Sequence, residues 1–134
     1  HQGSGKIQVL LVDDHLVMRS GIRAMLSMHA DVEVAGEASN GEEAVTLARQ
    51  IIPDVILMDI NMPRMNGVEA TRIINSELPD IRIIGLSVHE AADQAGAMKQ
   101  AGAAAYLNKC SSSSILLAAI RQYGDAGRAG VQRV

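Results

Sequence analysis

Ile7-Gln8-Val9-Leu10-Leu11-Val12-Asp13-Asp14 is the stretch on which the fold turns. An apolar run too short for an ordinary helix stops abruptly at two acids, which predicts a strand buried on both faces. The pattern returns at Val55-Ile56-Leu57-Met58, stopped by Asp59, and again at Ile81 to Ser87 and Ala104 to Asn108. Val32, Val34 and Gly36 alternate with Glu33, Ala35 and Glu37. That alternation predicts a strand with one wetter face, at the edge of a sheet.

Between these runs the apolar period lengthens to that of a helix. Met18, Gly21, Ile22, Met25 and Leu26 recur within Leu16 to Met28. Asn40, three residues before Glu43, is a capping-box-like start for a helix carrying Ala44, Leu47, Ala48, Ile51 and Ile52, closed by Pro53. The turn-rich Asn61 to Gly67 leads into a helix with Ala70, Ile73 and Ile74, and Gly67 suits the turn. Glu90 to Ala101 is a weaker, alanine-rich helix. Leu116, Ala119, Ile120 and Tyr123 mark a last amphipathic one, with Ser111 to Ser114 as N-cap candidates. Five strands alternating with five helices predict an α/β fold, a doubly wound five-stranded parallel sheet with right-handed crossovers.

Length and composition narrow the function. At 134 residues there is room for one domain. Residues 1–5 read as an expression-tag remnant, 6–123 as the domain, and 124–134 as a frayed tail or the start of a linker. Two tyrosines and no Phe or Trp demand an aliphatic core and argue against base-stacking binders. Twelve basic against fifteen acidic residues give a net charge of −3, which argues against direct nucleic-acid binding. Cys110 is alone, so no disulfide framework exists, and a cytoplasmic protein fits. No apolar run is long enough for a transmembrane helix.

Sites on open α/β sheets form beyond the carboxyl ends of the strands. Here those ends are Asp13 and Asp14, Asp59, Ser87, and Asn108-Lys109. Any one of them alone reads as a turn former, a helix cap or a solvated charge. Together they place three carboxylates, a hydroxyl and an ammonium on one rim. Clustered carboxylates call for a hard divalent cation such as Mg²⁺ or Mn²⁺, and a cation with a lysine is what phosphoryl transfer requires. An Asp carboxylate can itself be the nucleophile.

The residues that build this rim carry a resemblance. Leu11-Val12-Asp13-Asp14-His15, Asp54 to Gly67, Gly85-Leu86-Ser87 and Gly102 to Lys109 closely resemble the receiver domain of two-component response regulators, over about residues 6–123. Asp13-Asp14-His15, Arg19-Ser20-Gly21 and Gly36-Glu37-Ala38 are most similar to NarL/FixJ-type receivers, which carry LuxR-type outputs. The resemblance implies the flavodoxin-like strand order 2-1-3-4-5, an order documented for this fold and not deduced from spacing. It implies Asp59 as phosphoacceptor from a sensor histidine kinase or phosphotransfer protein. Asp14 would ligate Mg²⁺ directly, Asp13 mainly through water, with Asp59 and the Asn61 backbone carbonyl completing the set. Lys109 would pair with Asp59 and then with the phosphoryl group. Ser87 would move toward that group, and Tyr106 would follow as a switch. The expected readout is a change in the face formed by the fourth helix, fifth strand and fifth helix, altering homodimerisation or contact with a DNA-binding output domain outside this chain.

Other residues read as framework. Tyr123 and the methionines at 58, 62 and 65 read as packing, and His29 as surface. His89 lies two residues after Ser87, where such receivers vary phosphoryl lifetime. His15 reaches the rim without being expected as an Mg²⁺ ligand, because Mg²⁺ prefers oxygen. Cys110 stands where many receivers have proline, and reads as a small structural residue. Two alternatives remain: the C-terminal receiver of a hybrid sensor kinase, and an Asp-nucleophile phosphatase. The phosphatase would need an acid two residues after Asp59, where Asn61 stands. The chain is therefore expected to be a signalling domain, not a turnover enzyme, catalysing only its own phosphorylation and dephosphorylation.

Overall fold

A computed structural model describes residues 5–88 and 92–132. Its strands and helices alternate along the chain: β1 (Ile7–Val12), α1 (Leu16–Leu26), β2 (Val32–Ala38), α2 (Gly41–Ile51), β3 (Val55–Asp59), α3 (Gly67–Glu77), β4 (Arg82–Ser87), α4 (Ala92–Ala101), β5 (Ala105–Asn108) and α5 (Ser113–Gln132). All strand pairs are parallel, and the order is β2-β1-β3-β4-β5. The doubly wound sheet and its order are those expected, and β2 is an edge. Among the described residues no helix is long and apolar enough to cross a membrane.

The apolar runs serve both faces of the sheet because successive side chains in a strand point opposite ways. Leu10, Val12, Ile56, Met58 and Ile83 pack under α2, α3 and α4 with Ala44, Ala48, Ala70, Ile74 and Met98. Val9, Leu11, Val55, Leu57, Ile84 and Leu86 pack against α1 and α5 through Leu26, Leu116, Leu117 and Ile120. Tyr123 joins the second layer as packing, and Met58, Met62 and Met65 join the first.

Helix ends show where local patterns were read well and where not. Asn40 caps α2 by accepting from the Glu43 N–H, but the Glu43 carboxylate reaches back to the N–H and hydroxyl of Ser39, not to Asn40. The full capping box lies at Asn66 and Glu69, at the start of α3. Ile52 does not extend the buried stripe of α2: it is the left-handed C-cap, with φ of 50°, and is exposed, while Val45 is buried instead. Ser112 Oγ accepts from the Ile115 N–H ahead of α5, as the serine run suggested. Helix α5 runs past Gly124 to Gln132, and Gly124 is buried where a Cβ would press into Ile7. The start expected for the fourth helix at Glu90, and His89, lie outside the described residues.

Gly67 is required by proximity, not by an unusual turn conformation. A Cβ there would overlap the Asp59 carbonyl oxygen, and the Gly67 N–H donates to the Ile60 carbonyl at 2.8 Å. Gly96, inside α4, faces open space. Gly67→Ala is expected to lower unfolding free energy by more than about 2 kcal/mol, because the nearest atoms are backbone. Gly96→Ala is expected to raise it by about 0.5–1 kcal/mol through helix propensity. Urea unfolding followed by circular dichroism checks both.

Candidate functional site

The carboxyl ends of β1, β3, β4 and β5 meet at one rim because the strands run parallel and in register: Leu10 pairs with Ile56, Leu57 with Ile84, and Ser87 with Asn108. The Asp13 N–H continues the ladder to the Ala38 carbonyl at 3.0 Å, and the Lys109 N–H donates to Ser87 at 2.8 Å. Three charged groups are thereby fixed before any side chain is placed.

Lys109 Nζ lies 2.8 Å from Asp13 Oδ2 and 3.2 Å from Asp59 Oδ2. The Lys109 side chain is only 3% exposed, and both carboxylates are equally enclosed. The lysine was expected to pair with Asp59; it pairs with both acids and sits nearer Asp13. Neither Oδ2 makes a well-aligned hydrogen bond, so the ammonium holds them as an ion pair. One positive charge thus faces two buried negative ones.

The electrostatics follow from that imbalance. Burial pushes the Asp59 carboxyl up from 3.8 to about 6; Lys109 opposes the rise and the Asp13 charge adds to it. Burial acts on Asp13 in the same direction, but the bonds from Lys109 and from the His15 N–H outweigh it and hold Asp13 below its ordinary value. Burial disfavours charge on Lys109, yet Asp13 and Asp59 more than offset it and hold the ammonium above its usual range.

Asp14 stands on the open side, its side chain 29% exposed. Ligand atoms of Asp13, Asp14, His15 and Asp59 all lie within 4.8 Å of one another. Hard oxygen donors at this spacing, two of them attached to carboxylates with an under-bonded buried oxygen, suit a divalent cation. The Asn61 N–H donates to Asp59 Oδ1 at 3.3 Å, which holds its backbone against the acid.

Ser87 is buried at the end of β4 and its hydroxyl donates to Gln94 Oε1 at 3.3 Å. Gln94, on α4, also donates through Nε2 to Asn61 Oδ1 at 3.3 Å. This residue escaped the sequence reading: a polar side chain in an alanine-rich helix carries no motif or period. Tyr106 is half-buried, and its ring lies with Met98 over Gly85, where a Cβ would meet both. Arg19 was also missed as a site neighbour; it donates to the Asp13 carbonyl and pairs with Glu37 at 3.1 Å. Cys110 is exposed, and its N–H donates to Asn108 Oδ1. An apolar groove of about 530 Å³ opens beside Lys109, lined by Val17, Met18, Ile22, Met25, Val88 and Leu116 among others.

Comparison with known proteins agrees with this geometry. The response regulator receiver domain model matches residues 9–121. The transcriptional regulatory protein DegU of Brevibacillus brevis is 39% identical over 122 residues, covering 91% of this chain and 52% of that protein. LiaR of Bacillus subtilis is 47% identical over 115 residues, covering 86% and 54%. The solved signal receiver domain of NarL from Mycobacterium tuberculosis aligns with a TM-score of 0.85 at 34% identity, covering 90% of this chain and 97% of that one. The chain belongs to the response regulator receiver domain family, and it spans about half the length of the curated relatives it matches.

The raised Asp59 carboxyl has a consequence for stability. A carboxyl whose value in the folded state exceeds its unfolded one favours folding below the unfolded value and loses that contribution as pH rises through the folded one. With chelator present, Asp59→Asn is therefore expected to be the more stable protein at pH 7.5, by about 3–6 °C in melting temperature. The gap should close as pH falls from about 6 to 4. Melting curves across that window check the sign, and an Asn variant no more stable at pH 7.5 refutes it.

Proposed function

We propose that this chain is the phosphorylation switch of a LuxR-type transcription regulator, with Asp59 as phosphoacceptor. The observation that carries this reading is the Asp59 carboxylate at the end of β3, 3.2 Å from Lys109 Nζ and within ligand distance of Asp13 and Asp14. An Asp59 oxygen attacks the phosphorus of a phosphohistidine on a sensor kinase or phosphotransfer protein. A P–O bond forms, the P–N bond breaks, and the imidazole leaves with its electron pair and takes up a proton. Asp13, Asp14, Asp59 and the Asn61 carbonyl would hold Mg²⁺ or Mn²⁺, which when bound supplies charge neutralisation for the phosphoryl oxygens.

This chain's own groups then do the switching. Lys109 leaves its shared position between two acids and pairs with the phosphoryl oxygens. Ser87 gives up Gln94 and donates to the same oxygens. Tyr106 adjusts over Gly85, and the surface of α4, β5 and α5 changes, altering homodimerisation or contact with an output domain. This is a two-state element biased by local charge. Exposed Val17 and Val88, which line the groove beside Lys109, supply apolar surface for a cytoplasmic donor protein. Transcriptional regulators among the relatives favour this parent over a hybrid kinase. The lack of an acid at Asn61 disfavours the phosphatase.

Incubation with acetyl phosphate and Mg²⁺ should add about 80 Da to the intact mass, the increment of one phosphoryl group. The adduct should be absent from Asp59→Asn and reduced at least about tenfold in Lys109→Ala, which loses the buried charge that receives the phosphoryl oxygens. An adduct that survives Asp59→Asn overturns the assignment.

A further inference from the structure

Gln94 reaches from α4 to both flanks of Asp59. Its Oε1 accepts from the Ser87 hydroxyl at 3.3 Å, and its Nε2 donates to Asn61 Oδ1 at 3.3 Å. Asn61 lies two residues past Asp59, and its N–H donates to Asp59 Oδ1 at 3.3 Å. Ser87 ends the neighbouring strand, one residue beyond Leu86, the register partner of Asp59. One carboxamide therefore joins the ends of β3 and β4 beside the acidic cluster. Among the described side chains of α4, the buried ones, Met98 and Ala101, lie in its C-terminal half, whereas Gln94 lies in its first turn.

We propose that Gln94 is a positioning residue, a clasp that holds Ser87 in the unphosphorylated arrangement and so sets how fast Asp59 accepts a phosphoryl group. The inference deepens the reading of Asp59 as phosphoacceptor and rests on it. A hydroxyl carries a single proton, so Ser87 cannot donate to a phosphoryl oxygen while it donates to Gln94. The bond to Asn61 orients the carboxamide, so that its oxygen and not its nitrogen faces that hydroxyl. The clasp stabilises the starting state alone, because it is gone once Ser87 has turned to the phosphoryl group. An interaction made in the ground state and lost in the transition state raises the barrier by its own strength. Loss of the phosphoryl group by hydrolysis starts from the turned arrangement and does not meet the clasp. Both contacts of Gln94 are longer than is usual for their type, so the barrier they add is one the switch can cross readily.

Intact mass of the whole chain, followed over time with acetyl phosphate and Mg²⁺ and again after the donor is removed, tests this. In that reaction an Asp59 oxygen forms the new P–O bond, and acetate leaves with the electron pair of the broken one. Gln94→Met keeps the length of the side chain and removes the amide. It should form the adduct about two- to tenfold faster, the scale of losing one neutral hydrogen bond, and Gln94→Ala should match it. Both should lose the adduct within about twofold of the wild-type rate, since the phosphorylated arrangement lacks the clasp. In a Ser87→Ala background the acceleration by Gln94→Met should vanish, because the effect passes through that hydroxyl. An unchanged rate of formation, formation and loss accelerated alike, acceleration by Gln94→Ala but not by Gln94→Met, or acceleration that persists with Ser87→Ala overturns the clasp while leaving Asp59 as phosphoacceptor. A wild-type chain that takes no adduct, or an adduct that survives Asp59→Asn, overturns that assignment and the clasp with it.

Discussion

The buried contact of Lys109 with two carboxylates is the constraint on which the site depends. A single ammonium between Asp13 and Asp59 leaves one negative charge uncompensated in a place where solvent barely reaches. Buried charges are costly unless paired, and removing one partner leaves the others exposed to that cost. The fold tolerates the arrangement because each charged residue sits at a strand end, where its backbone belongs to the sheet ladder and cannot move away. Val12 pairs with Ala38 and with Met58, and Ser87 with Asn108, so the acids and the lysine are carried at the ends of paired strands.

Around that rigid centre lies a second group of side chains with weaker attachments. Gln94 reaches down from α4, His15 from the start of α1, and Asp14 from the turn between β1 and α1. Their contacts are long or exposed. Ser87 links the two groups: its backbone accepts from Lys109, while its hydroxyl turns to Gln94. A hydroxyl needs only a rotation about one bond to exchange partners. Under the proposed function, that makes Ser87 a point at which a change of charge at Asp59 would be passed outward to α4.

Much of this was legible from residue types and spacing. Runs such as Val55 to Met58 announced buried parallel strands because a strand packed on both faces has no room for polar alternation. The acids that ended them announced the rim, since in a parallel sheet those ends share one edge. The unread features share a physical reason. Ile52 has the side chain of a core residue but a left-handed backbone that points it out to solvent. Gly67 could have served a turn angle or a close approach, and only coordinates distinguish them. Gln94 meets Asn61 across 33 positions of sequence, a contact set by how α4 lies on the sheet and by nothing in the pattern of α4 itself. Lys109 likewise shows its partner class in sequence, but its sharing between two acids is a matter of distance.

Under the proposed function, the imbalance at the rim is what would let so acidic a site act as a switch and not merely as a stable pocket. A fully paired cluster would be at rest in one arrangement. With two acids and one ammonium, any added positive charge is favoured, and under the proposed function a phosphoryl group on Asp59 would convert the carboxylate into a mixed anhydride carrying its charge farther out. Lys109 would then have two competing anions, Asp13 close by at 2.8 Å and the new phosphoryl oxygens beyond Asp59. The balance between them shifts with each charge added or removed. A ligand can move such an equilibrium only by its differential interaction with the two states. On the proposed reading that difference comes from Lys109, which starts shared between Asp13 at 2.8 Å and Asp59 at 3.2 Å.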